Sequence, residues 1–143
     1  MDPHRLFEVA NAAAFAAWVL LLVAPRSPVT RVLVHGGVFS LLFAGLYLAI
    51  VAVHFDPAGL ADFGSLEGVM RIFQIPWIAL AAWVHYLAFD LFVGAWIGRD
   101  ARARDVPRWQ VVPCQALTFL FGPLGLLLYV TLVRRELLPA RAA

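Results

Sequence analysis

The amino-acid sequence predicts an all-α integral membrane protein with four transmembrane helices and a short amphipathic interfacial helix between the second and third spans. Three observations support this fold class. The chain of 143 residues is 63% hydrophobic. Only 14% of its residues are charged, whereas soluble domains carry about 25%. The apolar residues lie in four long runs, each near the roughly 20 residues that cross about 30 Å of hydrocarbon as a helix.

The four runs occupy most of the chain, so we expect a single membrane domain over residues 1–143. The first run is longer than the apolar core of a signal peptide and lacks a good cleavage site, which predicts that it is retained as a span. Pro25 and Pro28 then end it and form the first loop. The predicted spans are residues 6–24, 32–54, 76–98 and 109–133.

The loop between the second and third spans contains the predicted interfacial helix, at about residues 65–73. Ser65 is a suitable N-cap, and Glu67 falls in the first turn, where a carboxylate is favoured. Glu67 and Arg71 have the i,i+4 spacing of a helical ion pair. Pro76 follows as a suitable first-turn residue for the third span.

The fourth run contains two internal prolines, Pro113 and Pro123, of which Pro123 directly follows Gly122. Proline has no N–H to donate to the carbonyl four residues earlier, here that of Phe119. We therefore expect a kink that bends the fourth span toward the level of His85. Such irregular backbone is tolerated at bilayer depth where it is buried in protein or lines a cavity.

Charge and cysteine content exclude several classes of function. All eleven basic residues are arginine, the net charge is +2, and the charges sit in loops without forming a basic face. This pattern does not predict a nucleic-acid partner. A single cysteine, Cys114, allows no intramolecular disulfide and no Cys-X-X-Cys metal or redox site. Six arginines in loops one and three, against five elsewhere, predict that these loops face the cytoplasm.

The third run carries two titratable residues, His85 and Asp90. A carboxylate at the centre of a membrane helix costs roughly 2.5 to 3.5 kcal/mol on insertion scales, and such residues are functional by default. Tyr86 has the i,i+4 spacing needed to hydrogen-bond Asp90. His85 and Asp90 lie about 140° apart around the helix. We expect them to line one wide pocket from adjacent walls.

Aligning the spans by the helical rise of about 1.5 Å per residue places further polar groups near these two residues. One group, Ser40, Gln115 and Thr118, falls at the depth of Asp90. Another, which includes Asn11 and the Gly122–Pro123 break, falls at the depth of His85. Aromatic residues at these levels complete the set. The predicted ligand pocket comprises Asn11, Ser40, Trp83, Gln115, Thr118, Phe119, Gly122 and Pro123.

Structural roles remain open for the same residues. Asp90 alternatively ties helices together by hydrogen bonds to neighbouring polar groups. His85 is alternatively a neutral imidazole bonded to a carbonyl, and Glu67 a helix cap. The four histidines lack the depth matching of a bis-histidine haem and the number of a di-iron site, so we predict no metal. No serine or cysteine is placed for a nucleophilic triad.

Two stretches of the sequence resemble a known family. "GSLEGVMRIFQIPWIALAAWVHYLAFDLFVGAWIGRDA", residues 64–101, and "VPCQALTFLFGPLGLLLY", residues 112–129, are similar to the abscisic-acid-deficient-four family. Its plant members are regarded as neoxanthin synthases with four predicted membrane spans. The resemblance implies a carotenoid substrate whose epoxide opens while a neighbouring carbon loses a proton and an allene forms. Because this reaction is redox-neutral, no cofactor is implied.

The reaction needs an acid at the epoxide oxygen and a base at the polyene carbon. Glu67, His85, Tyr86 and Asp90 fall inside the matched stretches, so the resemblance implies them as catalytic residues. We expect Asp90 and His85 to divide the acid and base roles, Tyr86 to orient Asp90, and Glu67 to cap the slot or supply a second carboxyl group.

The short, arginine-rich chain predicts a bacterial member in the inner membrane, acting on a carotenoid or another apolar polyene in the lipid bilayer. Two other functions are consistent with the sequence. One is a non-catalytic carotenoid- or lipid-binding protein or assembly partner, either as a homo-oligomer or with a pigment-synthesis protein. The other is a small proton-linked transporter subunit in which His85 and Asp90 form the proton path.

Overall fold

The computed structural model describes residues 2–134, and within that range it contains helices and no β-strand. Two π-helical segments, Arg31–His35 and Tyr129–Arg134, adjoin α-helices, and a 3₁₀-helix, Pro57–Gly64, lies in the second loop. The α-helices are α1 (Pro3–Val23), α2 (Pro28–Thr30), α3 (Val38–His54), α4 (Leu66–Ile72), α5 (Pro76–Ala103), α6 (Arg108–Phe121) and α7 (Pro123–Leu128).

Three helical stretches of the described chain are long and apolar enough to cross a membrane: Pro3–Val23, Pro28–His54 and Pro76–Ala103. They correspond to the first three predicted spans. Each begins with a proline at its first position, where the missing N–H would have had no partner in the helix. The all-helical prediction is therefore confirmed, together with three long apolar helices.

Helix α5 is the central helix, since it packs against α1, α3 and α6. Small side chains let the helices approach closely. On α1 they are Ala10, Ala14 and Ala17, and on α5 they include Ala81, Ala88 and Ala95, all of them buried. Gly94 of α5 lies directly against the Trp18 ring of α1 and leaves no space for a Cβ.

The fourth predicted span is a helical hairpin in the structure. Helix α6 starts near the end of α1, where the guanidinium of Arg108 donates to the Leu22 carbonyl at 2.7 Å. It ends at Phe121, and Gly122 then takes a positive φ of 44°, which glycine adopts without a Cβ penalty. The 14 residues of α6 extend about 21 Å at 1.5 Å per residue, which is short of a hydrocarbon core of about 30 Å.

Helix α7 runs back along α6 toward the end from which α6 came. Gly125 packs on Cys114 and Thr118 of α6 so closely that a Cβ would meet their backbone atoms. The Tyr129 hydroxyl then donates to Asp100, near the end of α5, at 2.7 Å. Within the described residues, 109–133 therefore do not form a fourth complete span, and the kink predicted at Pro123 is a full reversal of the chain.

The hairpin changes how the charges are divided between the two ends of the helix bundle. We call the end that holds the first and third loops the arginine end. The return of α7 brings Arg134 to it, where the sequence placed that residue at the opposite end; Arg135 and Arg141 lie outside the described residues. Of the nine arginines in residues 2–134, two, Arg5 and Arg71, lie at the opposite end. The other seven are Arg26, Arg31, Arg99, Arg102, Arg104, Arg108 and Arg134.

The second loop forms the helix that the sequence predicts there. In α4 the Ser65 hydroxyl accepts from the Gly68 backbone N–H at 3.1 Å, as an N-cap does. The predicted ion pair between Glu67 and Arg71 is wrong, because the Arg71 guanidinium bonds the carboxylate of Asp62 on the preceding 3₁₀-helix.

Candidate functional site

Two cavities flank the middle of α5, and the predicted catalytic residues divide between them. The first, which we call the aromatic cavity, has a volume of ≈ 440 Å³ and lies between α3, α5 and the second loop. It holds His85 and Tyr86. Its lining residues are Tyr47, Val51, Phe55, Leu60, Phe63, Phe73, Ile78, Ala81, Ala82, His85 and Tyr86.

The second cavity, which we call the carboxylate cavity, lies between α1, α5 and the tip of the hairpin and has a volume of ≈ 580 Å³. It holds Asp90, and it shares Tyr86 with the aromatic cavity. Five of the eight predicted pocket residues line it, namely Asn11, Trp83, Phe119, Gly122 and Pro123. The other lining residues are Ala14, Phe15, Trp18, Tyr86, Leu87, Asp90, Leu120 and Phe121.

The Asp90 carboxylate faces the reversal of the hairpin. A Cβ at Gly122 would come within 2.8 Å of Oδ1 and 3.2 Å of Oδ2, so only glycine leaves room for the carboxylate there. Asp90 is half-buried, and within residues 2–134 it forms no hydrogen bond and no ion pair. Its alternative role, tying helices together through hydrogen bonds, is therefore not seen among these residues.

Aromatic contacts fix the walls of the carboxylate cavity. The Trp83 indole N–H donates to Asn11 Oδ1 at 2.9 Å, which joins α5 to α1. The rings of Trp18 and Phe119 lie 5.4 Å apart and join α1 to α6. Asn11, which helical rise assigned to the level of His85, thus belongs to the cavity of Asp90.

His85 is exposed in the aromatic cavity among other rings. Its centroid lies 4.7 Å from that of Phe89, 5.7 Å from Tyr47 and 5.9 Å from Tyr86. The described part of the chain gives its imidazole no hydrogen-bond partner. The alternative of a core histidine bonded to a carbonyl is therefore not what this geometry shows.

The expectation of one pocket shared by His85 and Asp90 is not met. The two residues line different cavities because they project in directions about 140° apart on the same helix. Tyr86 lies between them and is 57% exposed. Across residues 2–134 its hydroxyl forms no hydrogen bond with Asp90.

Three predicted pocket residues lie elsewhere. Gln115 donates to the Gly94 carbonyl at 3.0 Å, and the Thr118 hydroxyl donates to the Cys114 carbonyl at 2.8 Å. Ser40 is buried on α3. The depth alignment failed because α5 continues to Ala103, five residues beyond its predicted end. This displaces α6 by about 7.5 Å along the bundle, so that Gly122 rather than Gln115 or Thr118 reaches the level of Asp90.

Glu67 lies outside both cavities, and the sequence analysis did not predict a role for a second acid, Asp100. Glu67 is exposed in the first turn of α4 and lines neither cavity. Asp100 was not predicted, yet its Oδ2 accepts from the Tyr129 hydroxyl and from Arg104 at 3.0 Å, and lies 3.4 Å from Arg134. Only its i,i+4 spacing to Arg104 was visible in the sequence.

No metal centre is formed in the part of the chain that the structure describes. Within residues 2–134, no three His, Cys, Asp or Glu side chains are grouped closely enough to hold a metal ion. The titratable groups that line the two cavities are one carboxyl group, one imidazole and two phenols, Tyr47 and Tyr86, and such groups are suited to proton transfer.

Fold and cavities together define an all-helical protein with three helices able to cross a membrane and a solitary carboxylate midway along the central one. The chain belongs to the ABA DEFICIENT 4-like family, whose model matches residues 5–129. That range contains both cavities and the turn of the hairpin.

A curated relative is Protein ABA DEFICIENT 4, chloroplastic, from Arabidopsis thaliana. It is 24% identical over 128 residues, which cover 85% of this chain and 57% of the relative. The chain thus spans little more than half the length of this relative. No solved structure matches the chain.

Proposed function

We propose that this chain is an integral membrane isomerase of carotenoids or related polyenes, in which Asp90 transfers a proton within the carboxylate cavity. The observation that carries the proposal is the position of Asp90: an ionisable group midway along a membrane-crossing helix, without a hydrogen-bond partner among the described residues, in an otherwise largely apolar cavity. Such a group is costly to keep at this depth unless it has a function. The family membership supports a carotenoid-related substrate.

The proposed reaction is the opening of a ring epoxide that adjoins a polyene. The acid form of Asp90 donates a proton to the epoxide oxygen. The bond between this oxygen and the ring carbon attached to the polyene then breaks, and its electrons remain on the oxygen, which becomes a hydroxyl. The neighbouring polyene carbon then loses a proton and the electrons of its carbon–hydrogen bond complete an allene. One proton is added and one removed, so that substrate and product have the same composition and oxidation state.

A single carboxyl group can serve both steps in turn, because the carboxylate left by the first step is the base needed for the second. Tyr86 lies beside Asp90 in the same cavity and supplies a second O–H group to the oxygen that becomes a hydroxyl. General acid–base groups of this kind contribute about 10²- to 10⁴-fold to a rate. We assign His85 to holding the substrate in the aromatic cavity, next to the ring of Tyr86.

The substrate would enter from the bilayer. Tyr86 and Phe89 are 57% and 58% exposed on the outer face of α5, so the space beside them is continuous with the surroundings of the bundle. The cavity walls are aromatic and aliphatic, as suits a ligand that has no charge.

The direct test is expression in a host that makes an epoxy-carotenoid such as violaxanthin, followed by chromatography of the pigments. We expect a product of unchanged mass and an altered polyene spectrum with the native chain, and much less with Asp90→Asn. Glu67→Gln is the matched control, because Glu67 lies outside both cavities. Absence of any new pigment across several epoxy-carotenoid hosts would contradict the proposed isomerase.

A second candidate is a carotenoid-binding protein without catalysis. The observation in its favour is the aromatic cavity, whose walls carry rings from α3, α5 and the second loop but no carboxylate. Purified protein that retains a polyene, with structured absorption in the visible range, and leaves it unaltered in both the native chain and Asp90→Asn would select this function over the isomerase.

A further inference from the structure

A third cavity lies at the arginine end, about one bundle length from the second loop. Its volume is ≈ 240 Å³, and it lies between the first loop, the end of α5 and the start of α6. Unlike the other two, it is lined by arginines, namely Arg26, Arg102 and Arg108, together with one acid, Asp105. We call it the arginine cavity.

Two of its arginines are held in place by backbone carbonyls. Arg102 donates through Nη2 to the Pro25 carbonyl at 2.9 Å, and Arg108 donates through Nη2 to the Leu22 carbonyl at 2.7 Å. A guanidinium carries five N–H donors in a fixed fork. Each of these arginines is therefore fixed at the cavity wall by one N–H group and has further N–H groups with which to bind a ligand.

The third arginine has no such anchor. Arg26 is exposed and lines the cavity, and the described residues offer it neither a hydrogen bond nor an ion pair. Among the residues that line the cavity, Asp105 is the one with a negative charge to oppose that of Arg26. Asp100, the other acid at this end in residues 2–134, is already bonded by Tyr129 and Arg104.

The surroundings of the cavity strengthen its positive potential. Seven of the nine described arginines lie at this end, and the opposite end holds five acids, Asp2, Glu8, Asp56, Asp62 and Glu67. Arginine-rich loops are retained on the cytoplasmic side of a membrane, whose leaflet carries anionic lipids. The cavity would then lie at the level of the lipid headgroups.

From this arrangement we infer that the arginine cavity binds a phosphate group, with Arg26, Arg102 and Arg108 as its donors. Arginine forks match phosphate oxygens in two-point contacts. An anionic lipid headgroup and a free phosphate share this chemistry, and the position of the cavity favours the lipid. This inference does not depend on the proposed isomerase, since it uses no residue of the other two cavities.

The variants follow from the contacts. Arg26→Gln removes a charge without breaking any bond to residues 2–134, and we expect the apparent Kd for phosphatidylglycerol to rise about fivefold, the effect of one basic residue near a membrane surface. Arg26→Lys should restore most of the affinity. Arg31→Gln, at the same end of the bundle but outside the cavity, is the matched control.

Asp105→Asn should tighten binding, because it removes the negative charge from the cavity wall. Asparagine tolerates the positive φ of 54° at that position.

Binding is measured with the full chain in a neutral detergent, as the rise in unfolding temperature with added ligand. Phosphatidylglycerol, phosphatidylcholine and inorganic phosphate are titrated separately at constant ionic strength. Binding of phosphatidylglycerol alone that weakens in Arg26→Gln but not in Arg31→Gln assigns a lipid phosphate. The same dependence with inorganic phosphate assigns a free phosphate. Equal affinity of both variants for every ligand, or equal binding of phosphatidylcholine and phosphatidylglycerol, overturns the inference.

Discussion

Two carboxylates on α5, ten positions apart, have opposite surroundings. Asp100 accepts from the Tyr129 hydroxyl at 2.7 Å and from Arg104 at 3.0 Å, with Arg134 beside it. Asp90 has no such partner among residues 2–134 and faces a cavity. A carboxylate that is fully bonded by protein groups holds its helix to others, whereas one left without such bonds midway along an apolar helix remains available to a ligand.

The hairpin produces both environments. Its tip places Gly122 against Asp90, and the glycine provides space but no side chain to bond the carboxylate. Helix α7 returns along α6, and the π-helical segment after it brings Tyr129 and Arg134 to Asp100. The hairpin therefore bonds Asp100 at one end and leaves Asp90 without a bond from its residues at the other. Variants of Asp100 should affect stability, and variants of Asp90 should affect activity.

The largest effect is expected from Asp90→Asn. The amide keeps the volume and hydrogen-bonding capacity but removes the proton, so the rate of pigment conversion per folded molecule should fall by about 10² or more. Unfolding temperature in detergent should not fall, because no protein bond is lost. A variant that keeps full activity would show that Asp90 is not the acid–base group, and Tyr86→Phe would then be the next test.

Gly125→Ala should separate the hairpin from the rest of the fold. A Cβ at this position meets backbone atoms of Cys114 and Thr118, which cannot move aside as a side chain can. We expect a loss of up to about 3 kcal/mol in the free energy of unfolding, as for overpacked cores. Gly45→Ala is the control, since a Cβ there meets nothing within 4 Å. Equal stability of the two variants would mean that α7 does not pack on α6 as described.

Asp100→Asn should lower stability and spare the chemistry. The amide retains one acceptor but loses the charge that pairs with Arg104, so we expect a loss of about 2 kcal/mol, in the range of charge-assisted hydrogen bonds. Activity per folded molecule should be unchanged. The control is Asp105→Asn, whose carboxylate forms no hydrogen bond with residues 2–134. If Asp100→Asn abolished conversion at normal stability, the contrast between the two aspartates would be lost.

The smallest effect is expected from His85→Gln. The imidazole is exposed, forms no hydrogen bond with residues 2–134 and packs there against aromatic rings, so stability should change by no more than about 0.5 kcal/mol. Conversion should fall by less than tenfold if His85 only holds the substrate. A loss approaching that of Asp90→Asn would instead make the imidazole a partner in the proton transfer, as the resemblance to the family implied.

Local patterns predicted the helices and part of the site. Hydrophobic runs located the three long helices, Pro76 located the start of α5, and Ser65 located the cap of α4. Asp90 stood out because a carboxylate is costly in an apolar helix. The carboxylate cavity, separate from the cavity of His85, could not be predicted, because it depends on the length of α5 beyond residue 98 and on the direction of α7. Sequence periodicity constrains neither, since a proline after glycine is compatible with a kink or with a reversal.

The reversal at Gly122 also constrains the order of assembly in the cell. A segment that enters and leaves through one end does not need its far end carried across the bilayer. Its turn lies against α1 and α5, and unpaired backbone is costly in lipid. We therefore expect the three long helices to pack first, and the hairpin to join them last from the arginine end and complete the carboxylate cavity.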